Sequence, residues 1–139
     1  MAGFGTTSQR RLDSCHEEFQ EIMPLVIDQL PYTCKETGIK ITDCGIICGY
    51  RGENEQEEAY RNGNSKAKFG ESKHNFHLSQ ACDTLPMVNG KYVWNDKPLH
   101  KAYAKLILDT AWLKGYNWKW GGDFISFYDG PHFERIRND

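Results

Sequence analysis

Apolar residues recur at helical spacing early in the chain. Leu12, Cys15, Phe19, Ile22, Met23, Val26, Ile27 and Leu30 form one stripe with Arg, Glu and Gln between them, which predicts an amphipathic helix over about 8–30. Pro24 falls inside it and is expected to kink it, because proline has no amide for the helix ladder. His16 lies beside the stripe and reads as a surface or packing residue.

After Pro31 the pattern changes. Residues 38–42 and 44–49 read as strands. Glu53–Arg61 reads as a polar helical turn that Gly63 can stop, and 62–71, rich in Gly, Asn, Ser and Lys, as a loop. Residues 81–85 are apolar at alternate positions, a central strand expected to end at Pro86. Asn89-Gly90 then suits a tight hairpin between Met87-Val88 and residues 91–94. Asn95 or Asp96 can cap the next helix, with Pro98 in its first turn and Gly115 beyond its end. Along it Ala102, Leu106, Thr110 and Leu113 share one packing face, and Tyr103, Ile107 and Ala111 extend it. Trp118, Trp120, Phe124, Phe127 and Tyr128 read as core and groove wall, and Asp123 as a turn residue. Residues 131–136 alternate as a last strand. The sum is an α+β fold, with a small antiparallel sheet packed against two longer helices.

Composition narrows the function. The 139 residues fit one domain, 1–139, large enough to bury a core without staples. No apolar run approaches a membrane span. A net charge of −2 gives no basic face for nucleic acid. The opening stretch through Arg11 has no apolar segment of the kind a secretion signal needs, so the chain is expected to stay in the cytoplasm. Five cysteines, an odd number, argue against a disulfide framework. A zinc ribbon from Cys34, Cys44, Cys48 and His16 is the rival reading. The paired two-residue spacing of structural zinc sites is missing, which favours small buried apolar cysteines.

The chemistry-bearing stretches are Ser72 to Asp83 and the distant Asp129-Gly130-Pro131-His132. Two histidines and one carboxylate can hold a catalytic zinc and leave a position open for water. His74, Asp83 and His132 supply that set. Their spacing is too long for one helical face, so His74 is expected on a loop, Asp83 on the strand after it and His132 on a neighbouring strand. An unpaired carboxylate in an apolar strand costs several kcal/mol unless something binds it, which makes Asp83 hard to dismiss. The blander readings are a loop histidine at His74, a carbonyl partner at His77, a turn residue at Asp129 and a surface ion pair at Arg51. Glu134 shares a strand face with His132, placed to orient it or to act as a rival base.

Further motifs stand in order around these residues: Gly49-Tyr50-Arg51 with Gln56, Gly63 with Ser65-Lys66, Ser72-Lys73-His74-Asn75, then Ser79 through Asp83, Trp120-Gly121-Gly122-Asp123, and Asp129 through Glu134. In this the chain resembles the D-alanyl-D-alanine carboxypeptidase-like zinc peptidases, and among them the single-domain L-alanyl-D-glutamate endopeptidases of bacteriophage lysis. The resemblance implies a Zn2+ cofactor held by His74, Asp83 and His132. It implies Asp129 as general base and acid, and Arg51 facing the scissile carbonyl. Ser72, His77, Glu134 and Gln56 are supporting or substrate-contacting candidates. The step from His74 to Asp83 is longer than the commoner family pattern and contains His77, which leaves His77 as the alternative ligand to His74. The implied substrate is the peptide stem of bacterial peptidoglycan. The expected molecule is a monomer, held in the host cytoplasm until lysis, with a holin for release. A D-alanyl-D-alanine carboxypeptidase or dipeptidase, and a non-catalytic wall-binding module on the same scaffold, are the alternatives.

Overall fold

The computed structural model describes residues 3–125 and 127–136; the outermost residues of the expected 1–139 span, with Met1 and Ala2 of the opening stretch, lie outside these. In chain order come α1 (Thr6–Asp13), α2 (Glu17–Ile27), β1 (Tyr32–Thr33), β2 (Lys40–Ile41), β3 (Asp43–Cys48), α3 (Glu53–Arg61), β4 (Ala81–Val88), β5 (Lys91–Tyr92), α4 (Lys97–Leu113), β6 (Trp118–Trp120) and β7 (His132–Arg135). Strands β3, β4, β7 and β6 form an antiparallel sheet in that order, with β5 on the end of β4. β1 and β2 pair separately. Among the described residues no helix is long and apolar enough to cross a membrane.

The expected single first helix is two. Its apolar stripe is continuous, but the backbone at Ser14–His16 leaves the helix to meet the segment before β4: His16 N–H donates to Ser79 O and Ser79 N–H to Ser14 O, each at 2.9 Å. His16 then caps α2, its Nδ1 accepting from Glu18 N–H at 3.1 Å. Periodicity could not reveal the break, because both helices turn the same stripe to one core. Leu12, Phe19, Ile22, Val26 and Ile27 are all buried there, with Tyr103, Ile107 and Phe133.

Two more expectations shift. Pro86 does not end its strand but lies within β4 opposite Cys44, where its carbonyl accepts from Val93 N–H at 3.0 Å. Leu113 is not on the packing face of α4; it is 85% exposed because the last turn of the helix runs past the core. The hairpin turn is as the dipeptide suggests, with Asn89 and Gly90 both at positive φ. Asp96 caps α4 by accepting from Leu99 N–H at 3.1 Å, a bond typically worth ~1 kcal/mol.

Sheet register decides what can meet. Asp83 on β4 faces His132 on β7 and Cys48 on β3, so the three form a row across neighbouring strands. A bulge between Ile46 and Cys48 brings the cysteine into that row. Their sequence neighbours Cys82 and Phe133 point the other way, into the core.

Candidate metal centre and catalytic groove

His74 sits in a short 3-10 turn, Lys73–Asn75, before β4. That turn is held at both ends: Ser72 Oγ accepts from His74 N–H at 3.1 Å, and Asn75 Oδ1 accepts from Ser72 N–H at 3.1 Å. Ser72 thus shapes the turn that presents His74. The turn also carries Arg51, whose N–H donates to His74 O at 2.8 Å and whose carbonyl accepts from Asn75 Nδ2 at 3.0 Å.

Three side chains converge. His74 Nε2 lies 3.0 Å from Asp83 Oδ1 and 3.3 Å from His132 Nδ1, and His132 Nδ1 lies 3.1 Å from the same carboxylate oxygen. Each ring is also gripped from outside. His74 Nδ1 is 2.7 Å from Gly49 O, and His132 Nε2 is 2.8 Å from Glu134 Oε1. Gly49 O accepts only, so His74 Nδ1 carries the proton and, in the neutral ring, Nε2 points a lone pair inward. Glu134 does the same for His132, leaving Nδ1 as the inward lone pair. Three electron-rich atoms therefore face one another in a buried setting, an arrangement that calls for a cation between them. Outer acceptors that fix the tautomer of inner ligands are the usual frame of a metal site. The donor set fits a metal cofactor.

Electrostatics agree. Burial pushes the pKa of His74 down, but the charge and hydrogen bond of Asp83 outweigh it and hold it well above the ordinary value. For His132 burial is again opposed, by Asp83 and Glu134, and the balance lies at about 9. Burial acts to raise Asp83, yet the two rings hold its carboxyl well below the usual range. Asp83 and its partners thus create a strong preference for positive charge at the point where the rings meet.

Around this cluster a groove of about 580 Å³ is lined by Arg51, residues 64–67, Phe124, Phe127, Asp129 and Glu134, among others. Asp129 Oδ2 stands 3.9 Å from His132 Nδ1. Its position depends on the Gly121–Asp123 turn, since Asp129 N–H donates to Gly121 O at 3.0 Å. Burial and the nearby Asp83 charge hold Asp129 above the usual carboxylate range. Arg51 Nη2 is 3.9 Å from Asp83 Oδ2, while Nη1 donates to Gln56 Oε1 at 2.9 Å. Phe124 packs against the His132 ring, with centroids 5.6 Å apart. Trp118 and Trp120 are buried in the core.

A scan of family models matches residues 2–136 of the chain to the family described as phage L-alanyl-D-glutamate peptidase. The chain belongs to this family. Among its relatives is the peptidoglycan L-alanyl-D-glutamate endopeptidase CwlK of Bacillus subtilis (strain 168), 32% identical over 125 residues, covering 80% of this chain and 70% of that protein. The L-alanyl-D-glutamate peptidase of Escherichia phage T5 is 27% identical over 144 residues, covering 96% and 97%. The fold matches the crystal structure of Serratia marcescens L-Ala D-Glu endopeptidase ChiX with a TM-score of 0.74 at 22% identity, over 96% of this chain and 89% of that one.

Within this member of the phage L-alanyl-D-glutamate peptidase family, His77 stands apart from the cluster. It is exposed, and its ring meets Tyr50 edge to face at 5.2 Å. Gln56, fully buried, lies beneath the groove and does not line it. Sequence reasoning missed Cys48 as a neighbour of the centre. One ligand atom each from Cys48, His74 and Asp83 lie within 4.8 Å of one another, and Cys48 Sγ accepts from Arg51 Nη2 at 3.6 Å. A signal existed in the 44–49 strand, but the bulge that sets its register is invisible in the pattern. Lys73 was also missed: its Nζ lies 3.4 Å from Glu134 Oε2 and so steadies the carboxylate that holds His132.

Proposed function

We propose that the chain is a zinc-dependent endopeptidase that cuts the L-alanyl-D-glutamate bond in the peptide stem of bacterial peptidoglycan. The observation that carries this is the convergence of His74 Nε2, Asp83 Oδ1 and His132 Nδ1, with Asp129 and Arg51 beside them in one groove. His74, Asp83 and His132 are the residues that hold the metal, and the substrate follows the family and the relatives named above. When bound there, zinc supplies Lewis acidity, polarising a carbonyl and acidifying water.

The protein's own groups do the rest. Asp129, with its raised pKa, takes a proton from the attacking water at its carboxylate and returns it to the nitrogen of D-glutamate as the C–N bond breaks. Arg51, held by Gln56, presents permanent positive charge to the carbonyl oxygen as negative charge builds there. Glu134 and Gly49 keep both rings in the tautomer that faces inward. Phe124 and Phe127 wall the groove and limit water around the reacting amide. The same reading makes the chain a monomeric lysis enzyme, stored in the host cytoplasm until a holin opens the membrane.

The test is incubation of zinc-loaded protein with purified peptidoglycan, beside a chelated control, followed by labelling of new amino termini. A zinc-dependent new terminus on D-glutamate is expected. His132→Ala is expected to lose zinc and activity together, and Asp129→Asn to keep zinc and lose activity by ~100-fold to ~10000-fold. Release of free D-alanine instead, or full activity in either variant, overturns the assignment.

A further inference from the structure

Three cations line the catalytic groove: Arg51, Lys66 and Lys73. Two are already engaged. Arg51 donates to Gln56 Oε1 at 2.9 Å and faces Asp83 Oδ2 at 3.9 Å. Lys73 Nζ faces Glu134 Oε2 at 3.4 Å and donates to Arg135 O at 3.1 Å. Among the described residues Lys66 has no carboxylate within ion-pair distance, and its exposed ammonium rests over the Phe127 ring, 5.4 Å from the centroid. Glu71, a groove carboxylate close in sequence, is occupied by Lys68 N–H at 2.7 Å.

The backbone that carries Lys66 is anchored on both sides. Gln56 Nε2 donates to Ser65 Oγ at 2.9 Å and to Ala67 O at 2.6 Å. The other end of the same buried amide holds Arg51. One side chain thus ties the backbone on either side of Lys66 to Arg51 at the metal centre.

Chemistry supplies the matching anion. A D-glutamate residue on the leaving side of the cut bond uses one carboxyl to continue the stem, which keeps its other carboxylate free and close to the departing nitrogen. We propose that Lys66 binds this free carboxylate, so that the groove selects stems carrying D-glutamate over stems in which that group is amidated to D-isoglutamine. The inference rests on the peptidase reading above. Lys66 is a specificity residue that acts on substrate binding, so its effect falls chiefly on KM.

The test compares two synthetic stem peptides that differ only in that carboxylate or carboxamide, using the zinc-loaded full chain. The unmodified protein is expected to favour the carboxylate peptide roughly 10-fold in kcat/KM, the scale of a partly exposed charge-assisted contact. Lys66→Gln is expected to bring the ratio of the two peptides close to one, and Lys66→Arg to restore the preference. Lys68→Gln, which removes a lysine placed over Tyr60 and outside the groove, is expected to keep it. Equal cleavage of both peptides by the unmodified protein, or equal loss on both in Lys66→Gln, overturns the inference and leaves the peptidase reading standing. Cleavage of neither peptide overturns that reading and the inference with it.

Discussion

Replacing Gln56 with methionine removes its polar groups while nearly conserving its volume. Gln56 is fully buried and makes four hydrogen bonds, accepting from Arg51 Nη1 and Asn75 Nδ2 and donating to Ser65 Oγ and Ala67 O. At a net value of about 1 kcal/mol each, their loss amounts to about 4 kcal/mol. Part returns, because Asn75 Nδ2 still donates to Arg51 O and Arg51, 17% exposed, can reach water. The net destabilisation expected is therefore about 2–3 kcal/mol. For a chain of this length that lowers Tm by roughly 10 °C. Thermal unfolding followed by circular dichroism measures it. Activity should fall at least ~10-fold in the same variant, since Arg51 loses the acceptor that aims it. A Tm within about 2 °C of the unmodified protein would refute the view that this amide joins the Arg51 turn to the 64–67 segment.

Other outcomes follow from the same geometry. In chelator, the raised pKa values of His74 and His132 contribute stability that is complete below their ordinary value of about 6.5 and is lost as pH rises through the folded value, about 9 for His132. The lowered Asp83 pKa contributes above the ordinary carboxylate value of about 3.9 and is lost as pH falls. Metal-free Tm should thus decline between about pH 6.5 and 9, and a flat profile there contradicts the assignment. Zinc added at pH 7.5 should release protons, measurable with an indicator dye, because it displaces those that the rings hold. Gly121→Ala would place its Cβ against the Asp129 carbonyl oxygen and 3.0 Å from the Cβ atoms of Asp129 and His132. A loss of about 1–3 kcal/mol is expected by denaturant titration, with activity reduced as Asp129 shifts. Glu134→Gln should weaken zinc binding roughly 10-fold to 100-fold in a competition assay, because the His132 ring loses its charged acceptor.

Much of this was legible in residue order. The apolar alternation around Asp83 placed a carboxylate inside a strand, and Asn89-Gly90 placed the hairpin, because side-chain alternation and positive φ are properties of a few adjacent residues. The ordered motifs from Gly49 to Glu134 carried the family. By contrast, the helix break at Ser14–His16 depends on Ser79, and the position of Cys48 depends on a bulge that only strand pairing creates. The seat of Gln56 beneath both Arg51 and Lys66 is likewise a matter of three segments meeting. Local pattern set the type and approximate place of most elements and the face that Asp83 and His132 occupy on theirs. Tertiary structure decided that Asp83 stands opposite His132 and that two ring nitrogens meet one carboxylate oxygen, because register across a sheet comes from packing between distant strands rather than from any one of them.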